Sequence, residues 1–251
     1  MVIYLCEDSL EGVFTAIYRA YEDKRDHGDT ALSLTEEPIL FAEYVEVKPD
    51  ADRTLKVMRT LRKRFGEENY LSLCLALSSE DPGKAQAVYR TVVDGLSRNV
   101  GAGHLLDNLA NGSVHKAFSL SRGAGRELDH LRGFVRFQEL ENKILYSAIG
   151  PKNNLLTFLI PHFADRLPME NFVIYDDRRN LFGIHPAGRQ WDLLLGEETS
   201  KPVLHLSEEE EGYQALFKNF CETIAIQGRR NLKLQRNMLP LRFREYMIEF
   251  Q

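Results

Sequence analysis

From about residue 131 the apolar residues of this chain change period, and that change most constrains the fold. Before it, apolar positions recur every three or four residues. After it come the strand-like runs "RGFVRFQEL" and "KILYSAI", split by Glu141-Asn142. A helical spacing buries one stripe of a cylinder, whereas short β-rich runs bounded by turn residues suit a sheet. Further on, "NFVIYDD" and "LFGIHPAG" flank a polar turn at 178–180, and "NNLLTFLIPHFADRL" between the two hairpins reads as a helix whose Pro161 kinks or breaks it. The expectation is an α+β protein, with a helix-rich N-terminal part and a β-hairpin/helix/β-hairpin C-terminal part.

The N-terminal part opens with "VIYLC", a short strand. Leu10, Phe14, Ile17, Tyr18 and Tyr21 then fall at helical spacing behind a cap at Asp8 or Ser9. "DTALSLTEE" is polar and reads as a turn. "LFAEYVEV" suits a strand, and Asp50 or Asp52 caps a helix running through Arg64. "EENYLSLCLALSS" is apolar on most sides and reads as a buried helix. Asp81-Pro82-Gly83 starts another, since proline suits a first helical turn. Leu105, Leu106 and Leu109 are expected to open a further helix, broken near Asn111-Gly112. Near the end, "YQALFKNFCETIAI" is amphipathic, with Tyr213, Leu216, Phe217, Phe220 and Ile224 on one face. The acidic run Glu208–Glu211 lies at its N-terminus, where the helix dipole favours negative charge. The expected organisation is residues 1–130, residues 131–228 and a basic docked tail, 229–251, either as separate parts or as a single domain.

Charge is distributed unevenly. The whole chain carries a formal −5, so attraction to a polyanion must be local. "GRRNLKLQRNMLPLRFREYMIEF", residues 228–250, holds Arg229, Arg230, Lys233, Arg236, Arg242 and Arg244 against Glu245 and Glu249, a net +4. Interleaved apolar residues favour docking of this end on the body of the protein. A second basic stretch, residues 115–136, holds Lys116, Arg122, Arg126, Arg132 and Arg136 against Glu127 and Asp129. If the two stretches share a face, they make a groove for phosphates; if they point apart, they are solvated charges.

Motifs for catalysis are sparse. The seven histidines include no His-x-x-x-His pair, and Cys6, Cys74 and Cys221 are far apart, so neither metal nor disulfide spacing is present. The three cysteines are expected to be buried, reduced thiols. "VGAGH" and "RGAGR" lack the remainder of a P-loop or dinucleotide fingerprint, and no Gly-x-Ser-x-Gly elbow occurs. No cofactor is expected. "RGFVRF" partly resembles the aromatic strand of an RNA-recognition motif but lacks its central Gly/Ala-Phe insert. His115, His130 and His162 are the residual acid–base candidates, with Asp129 or Asp165 as a neighbouring acid. No apolar run approaches a membrane span and no signal-like start is present, so the expected location is the cytoplasm.

Several stretches in order, "SLEGVFTAIYRAYE", "HKAFSLSRGAGRELDHLRGFVRFQEL", "PHFADRLP", "FVIYDDRR" and "RRNLKLQRNMLPLRFREYM", resemble a bacterial family described as probable DNA metabolism proteins. Members of that family occur alone or fused ahead of a uracil-DNA-glycosylase-like domain. They accompany a radical S-adenosylmethionine protein linked to DNA modification or repair. The family end commonly reads Met-Pro-x-Arg-Tyr-Trp; here it is Leu239-Pro240-Leu241-Arg242-Phe243-Arg244, without the tryptophan. The family supplies no catalytic residues to carry over. The resemblance implies an accessory DNA-binding protein in DNA metabolism or repair, acting with that radical partner. The expected phosphate contacts are Arg229, Arg230, Lys233, Arg236 and Arg242, extended by Arg126, Arg132 and Arg136. A histidine-based hydrolase or base-modifying enzyme, and a protein-interaction scaffold, stand beside it as alternatives.

Overall fold

A computed structural model describes residues 1–196, 205–224, 226, 228 and 231–250. The chain is α+β and divides into two compact units, residues 1–126 and 127–251.

The first unit is built on a three-stranded parallel sheet of order β2-β1-β3. β1 (Val2–Cys6) is apolar throughout and almost wholly buried, as a central parallel strand must be. α1 (Leu10–Glu22) starts at Ser9, whose hydroxyl accepts from the Gly12 amide at 2.9 Å. It buries Val13, Phe14 and Ile17, each such side chain contributing about 1.5–3 kcal/mol. β2 (Thr30–Ser33) forms where a turn is expected from composition. Thr30 and Leu32 face inward, β1 supplies the main-chain partners, and the Gln86 side chain accepts from the Leu32 amide. β3 (Glu43–Val47) closes the other edge.

α2 (Ala51–Leu77) is capped by Asp50 and interrupted at Gly66, whose φ of +84° suits glycine. α3 (Lys84–Ser97) follows the Asp81-Pro82-Gly83 turn. Residues 101–111 are turns, not the expected helix. Leu105 is fully buried there and fills space that a side chain at position 95 would need; Gly95 leaves it open. α4 begins only at Gly112 and runs to Phe134.

In the second unit five strands order as β4-β5-β6-β7-β8: β4 (Gln138–Glu139), β5 (Leu145–Ile149), β6 (Phe172–Asp176), β7 (Leu181–His185) and β8 (Asp192–Leu195). The two expected hairpins, β4–β5 and β6–β7, are antiparallel, and β5 and β6 join them in parallel. That parallel step requires a crossover, which α5 (Leu156–Arg166) supplies. α5 runs through Pro161 and packs Ile160 against Gly183 of β7. The stretch "RGFVRFQEL" is corrected: α4 continues through Phe134 and only Gln138–Glu139 is strand. Leu128, Leu131 and Phe134 keep helical spacing, and tertiary contacts of Phe134 outweigh its strand propensity. No RNA-recognition-type aromatic strand exists at this position.

α6 (Glu208–Thr223) is capped by Ser207, with its four glutamates in the first turn. α7 (Leu232–Met238) and α8 (Leu241–Arg244) end the chain, with a final turn at Ile248–Phe250. Cys6 and Cys74 are buried free thiols and Cys221 is half-buried. Among the described residues no helix is long and apolar enough to cross a membrane.

Candidate nucleic-acid interface

The C-terminal segment docks on the end of α4, and the docking begins from sequence. Pro240 cannot continue α7 and starts α8. Phe243 is then buried, its ring 5.7 Å from that of His130 and 5.4 Å from that of Phe134. Met247 and Ile248 are buried as well. Arg136, just past α4, donates to Glu249 Oε1 at 2.8 and 3.2 Å. Arg132 and Arg136, the end of the first basic stretch, therefore share the second unit with the basic tail.

A buried carboxylate organises this contact. Glu127 is 3% exposed and has four partners, three hydrogen-bond donors and one ion-pair cation. These are the amides of Lys152 and Asn153 at 3.0 Å each and the Asn153 side chain at 2.7 Å. The fourth is Arg242, 3.1 Å away. Such a carboxylate remains charged inside a protein only when its oxygens are satisfied. The loop it holds, Gly150–Asn154, leaves the C-terminal end of β5. Gly150 is required there, because any Cβ would collide with the Tyr246 phenol.

A second carboxylate, Asp176 at the end of β6, is fully buried. It accepts from the amides of Arg178 and Arg179 and from the Arg179 guanidinium at 3.1 Å. Arg179 also donates to the carbonyls of Pro151 and Lys152. Burial pushes the Asp176 carboxyl up, and Arg179 and the two amides oppose that rise. Glu127 and Asp176 thus fix one loop from two sides. Neither has a signal in the sequence; their partners lie 25 to 115 positions away for Glu127.

The expected contacts separate into two groups. Arg126 is exposed on α4, and Arg132 is exposed with Asp129 at 3.1 Å. Lys233 and Arg236 are exposed on α7, which buries none of its residues. Arg136 and Arg242 are instead committed to Glu249 and Glu127. Arg244 lies over the Phe250 ring and reaches the Leu239 carbonyl. Arg229 and Arg230 lie outside the described residues.

The histidines do not assemble a reaction centre. His115 is exposed on α4 in the first unit. His130 stacks on Phe134 at 5.5 Å. His162 sits edge-on to Phe163, and burial lowers its pKa, helped by Arg132 and Arg166. Among the described residues none of the three is hydrogen-bonded to Asp129 or Asp165, and no group of three or more His, Cys, Asp or Glu side chains could hold a metal. What the arrangement offers is a set of exposed cations, Arg132 on α4 and Lys233 and Arg236 on α7. Arg132 of α4 and Arg166 of α5 both act electrostatically on His162.

A search of curated proteins finds no match to the chain. A family model does match, over residues 82–249, which takes in α3, α4 and the elements from β4 to α8. That is more than half of the sequence, and the chain belongs to the DUF4130 family, a domain of unknown function.

Proposed function

We propose that the protein is an accessory nucleic-acid-binding module that grips the phosphate backbone of DNA. The observation that supports this reading is the docking of residues 240–250 on the end of α4, within the second unit that also holds Arg132 and Arg136. Arg132, Lys233 and Arg236 are the contacts of the second unit, with Arg229 and Arg230 preceding α7 in sequence; Arg126 belongs to the first unit. Arg136 and Arg242 serve as internal ties. Phosphate contacts carry no base information, so sequence preference is weak. The resemblance to probable DNA metabolism proteins supplies the context, and in this reading a radical S-adenosylmethionine protein performs the chemistry on the DNA presented to it.

The test is fluorescence anisotropy with single- and double-stranded DNA over a salt series. Alanine at Lys233 and Arg236 flattens the dependence of log affinity on log salt by about 1.8 for a duplex. Absence of binding at low salt refutes the proposal.

One observation favours a second reading, a protein-interaction scaffold. Tyr213, Leu216, Phe220 and Ile224 of and just after α6 are each more than half exposed, and such apolar faces mark interaction surfaces. A partner retained after nuclease treatment, and lost with Leu216→Asp and Phe220→Asp, favours this reading over DNA binding.

A further inference from the structure

The densest positive charge in the chain lies in the first half of α2. Residues 51–65 hold Arg53, Lys56, Arg59, Arg62, Lys63 and Arg64 against Asp52, a net +5. Three of these are engaged locally. Arg53 pairs with Glu22 at 3.2 Å, Arg62 with Glu67 at 3.1 Å, and Arg64 with the Asn99 side chain. Lys56, Arg59 and Lys63 are exposed, and their i, i+3, i+7 spacing puts them on one face.

That face borders an apolar groove. Ile17 of α1, Leu61 of α2, and Val92 and Leu96 of α3 line about 190 Å³ of open space. Lys56 and Thr60 stand at its α2 side. The Lys56 ammonium also lies 5.3 Å from the centre of the Tyr18 ring. An apolar cavity of about 150 Å³ is already large enough for a benzene ring. The neighbouring acids do not neutralise the rim. Asp94 of α3 pairs with Arg98 at 2.7 Å, and Glu22 is held by Arg53.

We infer that this groove is a docking site for an acidic amphipathic segment of a partner protein, which inserts one apolar side chain and pairs its carboxylates with Lys56, Arg59 and Lys63. Charge complementarity selects the acidic partner. The lining, aliphatic apart from the Tyr18 and Tyr21 rings, selects an apolar anchor. A nucleobase pushed into it leaves most of its polar edge without partners, whereas leucine or phenylalanine has no polar edge to strand. The row Lys56 to Lys63 spans about 10 Å of helix axis, which matches carboxylates two turns apart on a partner helix. This site lies in the first unit, largely outside the family match, and stands independently of the DNA reading.

The test uses the full chain and a fluorescein-labelled, glutamate-rich amphipathic peptide of about 16 residues with leucine, phenylalanine or tryptophan anchors. The expected result is saturable binding that is weakened about 10-fold or more by Lys56→Glu with Lys63→Glu. Thr60→Trp, at an exposed position beside the groove, weakens it similarly, and a lysine-for-glutamate version of the peptide does not bind. Thr60→Gln, larger but uncharged, replaces Thr60→Trp if melting shows that the latter is destabilised. The inference is overturned if no peptide binds at about 1 mM, if binding ignores both kinds of substitution, or if a single-stranded oligonucleotide occupies the groove and is lost with the position-60 variant.

Discussion

Removing Glu127 tests whether the docked C-terminus is a single cooperative feature. Glu127→Ala deletes the acceptor of three hydrogen bonds and the partner of one ion pair in a residue 3% exposed. It leaves the Lys152 and Asn153 amides and the Arg242 guanidinium without their partner. Breaking a buried ion pair by removing one member costs about 3–5 kcal/mol. The Arg242 side chain is 33% exposed, so water softens its loss and the lower half of that range is expected, about 3 kcal/mol. Glu127→Gln keeps one acceptor but turns an amide toward donors, and about 2 kcal/mol is expected. Arg242→Ala costs less, about 1–2 kcal/mol, because it leaves Glu127 with three of its donors. The chain has a single tryptophan, Trp191, in the second unit. Urea unfolding followed by its fluorescence therefore reports this unit. With a slope of roughly 1.5 kcal/mol per molar, Glu127→Ala lowers the midpoint by about 2 M. The double variant should cost less than the sum of the single ones by about 1 kcal/mol or more. If Glu127→Ala and Glu127→Gln both cost under about 0.5 kcal/mol, Glu127 does not hold the loop and the tail.

Two further outcomes follow from the same contacts. Gly150→Ala drives a Cβ into the Tyr246 phenol, so it should cost about 1–3 kcal/mol and speed protease cleavage within residues 240–250; Tyr246→Ala in the same chain removes the steric part of that cost. His27 and His162 both have pKa values lowered, each first by burial and then by nearby arginine. The unfolded chain then binds more protons than the folded one. Stability from these groups is complete above the unfolded value of about 6.5 and is lost as pH falls from there through the lower folded-state values. The raised Asp176 acts in the opposite sense as pH falls toward its own range. A melting midpoint that drops from about pH 7.5 to about pH 5.5, and drops less in His27→Asn, is expected.

The helices with regular spacing and a capping residue were legible in the sequence. Ser9 and Asp50 both accept the amide hydrogen bonds expected of caps. The switch to strands near residue 131 was legible as a class but not in position, because the helical stripe of Leu128, Leu131 and Phe134 extends across it. β2 was hidden: four residues with polar neighbours become a strand only because β1 is there to pair. The parallel pairing of β5 with β6 was hidden too, since hairpin signals are local and a crossover is not. The charges of the candidate site could be counted from sequence. Which of them remain exposed could not, because Glu127 and Glu249 choose their arginines across 115 and 113 positions.

That division of the arginines bears on how strongly DNA binding can depend on salt. Residues 228–250 contain six cations, and six phosphate contacts would give a slope of about 5.4 in log affinity against log salt on duplex DNA. In the docked segment Arg242 is held by Glu127, and Arg244 lies over Phe250. At most four cations of this stretch remain, Arg229, Arg230, Lys233 and Arg236, and their share of the slope is about 3.6. Replacing those four by alanine should remove that share, and a further Arg242→Ala should leave the slope where it is while lowering stability. If Arg242→Ala instead flattens the slope by another ~0.9, Arg242 has left Glu127 for a phosphate. DNA would then bind by releasing the tail from the end of α4, at the cost of a buried carboxylate stripped of its cation, and the docked arrangement would be the unbound state only.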